Sequence, residues 1–114
     1  MNPKTLKRLE DARDACMRID DFLSSIAREA FLESELHRAA VERQLEIVGE
    51  ALGIASKTDP ALVEAIPDLP RIVALRNRLI HGHDSVDAEL LWDLVQTHLP
   101  QLQKQLQSTL ESHP

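Results

Sequence analysis

Leu6, Leu9, Ala12, Cys16, Ile19, Leu23 and Ile26 recur at intervals of three or four residues. That period is the turn of an α-helix, and it conflicts with the two-residue alternation of a strand. It commits the opening stretch to one long amphipathic helix over residues 3–26, with Pro3 suited to the first turn. The opposite face carries Lys7, Glu10, Asp11, Asp14, Arg18 and Asp21 and reads as solvated. Cys16 falls on the stripe, as a buried small hydrophobe rather than a reactive thiol.

A second helix is expected to start at Glu29 or at Ser34 and to run to about residue 56. It carries two apolar tracks. Leu32, Leu36, Ala40, Ile47, Ala51 and Ile54 form one; Val41, Leu45, Val48, Leu52 and Ala55 form the other. So wide an apolar arc belongs to a central helix, or to one that faces both its own bundle and a partner. Gly49 inside it weakens the helix relative to alanine, and close approach of another helix is the expected reason. Residues 57–70 connect, with a turn at Thr58-Asp59-Pro60 and a short helical piece at 61–66. A third helix spans residues 69–80, buries Ile72, Leu75 and Leu79, and is ended by Gly82. The last begins after Asp87 as N-cap and follows Leu91, Val95, Leu99, Leu102, Leu106 and Leu110. Pro100 should kink or split it, and residues 106–114 read as a frayed tail. These readings give an all-α, up-and-down four-helix bundle with a kinked last helix, one domain over residues 1–114.

Three glycines leave little material for hairpin turns. The core must be aliphatic, because the chain has two Phe, one Trp and no Tyr. A lone cysteine allows no internal disulfide and fits a reducing cytoplasm. No stretch approaches the roughly 20 apolar residues of a membrane span, and the first residues lack the apolar region of a signal peptide. A net charge of −6 argues against non-specific nucleic-acid binding as the main task. It leaves room for RNA chemistry at a local basic patch, and Arg71, Arg76 and Arg78 lie together beside His81.

The stretch RNRLIHGHD, residues 76–84, concentrates titratable and phosphate-binding groups. Arg76 and His81 are five residues apart, about 140° around a continuous helix. They converge only where the helix ends. Asn77 and His81, four apart, face each other on the last turn, so Arg76, Asn77 and His81 are expected at one pocket mouth. Such a trio suits RNA cleavage without a metal. Histidine exchanges protons near neutrality, and an arginine fork meets the extra charge of a phosphorane-like transition state. One histidine is thin for two proton transfers, and a twofold dimer would supply a second. The competing reading is a helix C-terminus whose cations complement the dipole. His81 and His83, with Asp84 or Asp87, fall short of a metal site. His37, His98 and His113 read as surface or structural. Glu46 and Glu50 read as a solvated face paired with Arg43, unless one of them holds Arg76.

At these residues the sequence resembles the HEPN domains, and within them the HepT-like proteins of HEPN–nucleotidyltransferase (HEPN/MNT) toxin–antitoxin pairs. Arg76-Asn77-Arg78-Leu79-Ile80-His81 fits the family's Arg-x4-His signature. AVERQLEIVGEAL (40–52), IPDLPRIVALRNRLIHG (66–82) and VDAELLWDLVQTHLPQL (86–102) resemble its second long helix, its approach to the motif and its last helix. The resemblance implies a dimeric helical bundle and a metal-independent endoribonuclease without cofactor. It implies Arg76, Asn77 and His81 as catalytic residues; Arg78 and His83, beside them in the sequence, are expected to support RNA binding. It also implies a nucleotidyltransferase antitoxin as partner, in a homodimer or larger assembly. Two positions depart from the family. His83 stands where its tyrosine does, and Asp68 where an aromatic residue follows Ile-Pro; the second departure is expected to concern packing. The alternative function is a HEPN module that binds nucleotide or assists a nucleotidyltransferase without cutting RNA.

Overall fold

The first stripe forms helix α1, Pro3–Leu23, and buries Leu9, Ala12, Cys16, Ile19 and Leu23. Asn2 caps it: the side-chain oxygen accepts the Lys4 N–H at 2.8 Å, which satisfies one of the first turn's orphan donors. The helix stops at Leu23 rather than at Ile26. There the Ser24 hydroxyl donates to the Asp21 carbonyl at 2.9 Å, a local bond that competes with helix continuation. The computed structural model describes residues 1–81 and 87–112.

Both expected starts of the second helix occur, because a break lies between them. Helix α2, Arg28–Glu33, ends at Ser34, and helix α3, Glu35–Thr58, begins there. The Ser34 hydroxyl accepts the His37 N–H at 3.2 Å and meets His37 Nδ1 at 2.7 Å. His37 is therefore a capping partner. Its neighbour Leu36 is 78% exposed, so the two apolar tracks differ. Val41, Leu45, Val48, Leu52 and Ala55 are all buried, whereas on the other track only Ala51 is, and Leu32, Ala40, Ile47 and Ile54 are half-buried.

Helix α3 is central, with α1 packed along one side and α5, Leu69–His81, along the other. The threonines at the end of this α1–α3 pair, Thr5 and Thr58, share a hydrogen bond of 2.7 Å. The connector holds a single turn, α4, Leu62–Ala65, whose Leu62 is buried together with Ile66.

Asp87 caps helix α6, Ala88–Thr97, accepting the Glu89 N–H at 2.7 Å. The kink expected at Pro100 is a full break at His98. Helix α7, Leu99–Glu111, starts with Pro100 in its first turn, where a missing N–H costs nothing. Its inner stripe packs on α1. The frayed tail expected from residue 106 is corrected up to Glu111: Leu106 is fully buried and Thr109 is 7% exposed. The leucine stripe simply continues, and packing holds a helix that propensity alone would not. Asp68 and Gln105 bond reciprocally at 3.3 and 3.4 Å and fasten the start of α5 to α7. Phe31 of α2 is fully buried and meets Trp92 of α6 with ring centroids 5.2 Å apart. Among the described residues the fold is all-α, a bundle around an aliphatic core.

Candidate functional site

Arg76 lies on the face of α5 that packs against α3, and Gly49 makes its place. A Cβ built on Gly49 would collide with the Arg76 Cβ and come 2.9 Å from its Cγ and 3.1 Å from the Ile72 carbonyl oxygen. The arginine stem thus fills the space that any other residue at position 49 would occupy. Its Nε is buried without a hydrogen-bond partner among the described residues, and its Nη1 donates to Asn77 Oδ1 at 3.2 Å. Arg76 and Asn77 open into a cleft of about 460 Å³ shared with Glu50, Ser56 and Lys57. Glu46 pairs with Arg43 at 3.2 Å. Glu50 forms no ion pair among the described residues and borders the cleft beside Arg76.

His81 closes α5 and is exposed. It does not line the cleft that Arg76 and Asn77 share, and Asn77 is turned to Arg76 by its hydrogen bond. The described residues of one chain thus bring together two of the expected trio. His83, Gly82 and Asp84 lie outside the described residues.

The three arginines also divide. Arg71 and Arg78 are seven residues apart, so they share a face of α5 and line a groove against α6 of about 560 Å³. Arg76 looks the other way, into α3. Arg71 Nη1 donates to His98 Nδ1 at 3.2 Å, and Asp93 lines the same groove. Sequence reasoning left His98 isolated and passed over Asp93. The available signal was the Arg71–Arg78 spacing, which marks one helix face; which residues of α6 stand opposite is a tertiary fact.

Cys16 is fully buried. Burial first, and Asp20 second, push its thiol up to about 12, so it supplies no thiolate.

A family model described as ribonuclease HepT-like matches residues 12–109. A Methanocaldococcus jannaschii protein named as a candidate RNase is 34% identical over 101 residues, covering 87% of this chain and 86% of its own. A Thermococcus cleftensis protein named probable ribonuclease HepT is 36% identical over 97 residues, 82% of this chain and 84% of its own. A Caldanaerobacter subterraneus protein, also named as a candidate RNase, is 27% identical over 103 residues, 90% of this chain and 91% of its own. No solved structure matches the chain.

Proposed function

The chain belongs to the HepT-like ribonuclease family, and on that premise we propose a metal-independent endoribonuclease, the toxin of a HEPN–nucleotidyltransferase toxin–antitoxin pair. The observation that carries the reading is the seat of Arg76. A helix-weakening glycine stands at the one place where its stem enters α3. Its Nε is buried among the described residues and anchors the stem, while the exposed Nη1 end stands with Asn77 at the cleft, where a substrate phosphate can accept from the guanidinium.

His81, exposed at the helix end, reaches the reaction from a dimer. A twofold axis near the ends of two α5 helices joins two Arg76–His81 segments in one cleft. One imidazole takes the proton of the RNA 2′-hydroxyl as that oxygen attacks phosphorus. The other gives a proton to the departing 5′-oxygen. The products are a 2′,3′-cyclic phosphate and a free 5′-hydroxyl. Arg76 neutralises the added charge of the transition state. Asn77 orients the guanidinium, and Arg78 and His83 support the RNA.

A second reading, a nucleotide-binding module that does not cut, is favoured by His81 lying outside the Arg76–Asn77 cleft. One experiment separates them. Purified protein is incubated with tRNA and mRNA in EDTA, with His81→Ala and Arg76→Ala as controls. Cleavage is expected to survive chelation, to leave the cyclic end group or its opened product, and to vanish in both variants. Activity lost in EDTA and restored by magnesium overturns the mechanism.

A further inference from the structure

We propose that the groove between α5 and α6 is a nucleotide subsite that seats an unpaired guanosine of the RNA away from the bond that is cut. The proposal rests on the ribonuclease reading for the identity of the strand, while the groove itself lies apart from Arg76 and its cleft. Leu90, 46% exposed, and Leu94 give it an apolar wall, which suits the flat face of a base. Arg71 and Arg78 stand along its rim about 10 Å apart on the helix axis. Neither pairs with a carboxylate among the described residues, so the Arg78 fork and the part of the Arg71 fork that His98 does not take are open to phosphate.

The remaining polar groups select the base. Arginine only donates, so Nδ1 of His98 accepts from Arg71 and Nε2 carries the hydrogen. His98 therefore offers a donor. The Asp93 carboxylate only accepts, and it too has no ion-pair partner among the described residues. A donor and a carboxylate lining one groove suit the edge of guanine, whose O6 accepts while its N1–H and amino group donate. Uracil offers a single N–H between two acceptors and leaves part of the site unmatched. The direction of the strand follows from α5. His81 is one turn beyond Arg78 and Arg71 two turns before it, so RNA leaving the His81 end passes Arg78 and then Arg71.

The test uses a fluorescein-labelled single-stranded oligouridine with 2′-O-methyl riboses, with or without one central guanosine. The blocked nucleophile makes binding independent of cleavage. The full-length protein is expected to prefer the guanosine oligomer by roughly fivefold or more, and Asp93→Ala to erase that preference. In Arg71→Ala/Arg78→Ala the slope of log affinity against log salt should shrink by about 1.4, about 0.7 for each lost phosphate contact. Arg18→Ala, on α1, should leave the slope unchanged. Unchanged affinity and slope in the double variant overturn the proposal, as does equal binding of the two oligomers by the unaltered protein. If the double variant binds RNA normally but sediments as a smaller species, the groove is a subunit contact and the proposal falls. Guanosine-selective binding without cleavage of natural RNA upholds the subsite and sinks only the nuclease reading. Cleavage with an indifferent groove does the reverse.

Discussion

Two glycines four residues apart on α3 have opposite worth. At Gly49 a methyl group collides with Arg76, whereas at Gly53 it would meet the Val73 methyls at 3.8 and 3.9 Å, an ordinary contact. Gly53→Ala is therefore expected to stabilise the protein by about 0.5–1 kcal/mol through helix propensity. Gly49→Ala gains the same propensity but overpacks α3 against α5, at about 1–3 kcal/mol. Thermal melts of the two variants should move in opposite directions. The displaced guanidinium should also lower kcat on RNA by about a hundredfold, as a misplacement of about 1 Å does. Near-normal kcat in Gly49→Ala would remove Arg76 from the chemistry. Cys16 sets a pH limit. Its thiol is held at about 12 in the fold against an ordinary 9. A raised folded value means stability that is complete below pH 9 and declines above it, as the unfolded thiol ionises first. Urea midpoints at pH 8 and pH 10 should differ more in the unaltered protein than in Cys16→Ala.

At the scale of elements, the break between α6 and α7 separates two kinds of residue. Leu99 is fully buried, while Pro100 is exposed in the first turn of α7. Leu99→Ala is expected to cost about 2–5 kcal/mol. Pro100→Ala should cost under about 1 kcal/mol, because the restored N–H has no bond to regain. Equal losses in chemical denaturation would mean that the break depends on the proline ring. The same stretch shows what the sequence carried. Leu91, Val95, Leu99, Leu102 and Leu106 were legible as one stripe, and all are buried, because helical periodicity survives a break that keeps the register. Ser34 was legible as a possible helix start and Gly49 as a close approach. The end of α1 was not, because Ile26 stays on the stripe while Ser24 ends the helix through a bond to its own backbone. The meeting of Arg71 with His98, and the failure of His81 to join Arg76, were equally illegible. Spacing along one helix gives angles about that helix and nothing about the neighbour each face meets.

At the scale of the whole molecule, the proposed role as a toxin implies a restraint on the nuclease. In the HepT-like pairs that the sequence resembles, the antitoxin attaches adenosine monophosphate to a tyrosine two residues beyond the motif histidine. A phenol oxygen gives a stable phosphodiester. This chain has no tyrosine, and His83 stands at that position. Imidazole can accept the same group, but the resulting phosphoramidate hydrolyses readily, so a lasting block at His83 is not expected. Restraint is then expected from a partner bound over the cleft, or else the nuclease is weak enough to need little. The last turn of α5 carries Arg78 and His81, so an acidic partner surface suits that end of the helix. Intact mass after incubation with the cognate nucleotidyltransferase and ATP should show no stable adenylyl addition. Inhibition by that partner should instead persist without ATP and weaken as salt is raised. A durable adduct on the unaltered chain sinks this account. His83→Tyr supplies the second arm: the variant should cut RNA as before and acquire the adduct. If it remains unmodified while the partner still inhibits, position 83 is not where the family's modification falls.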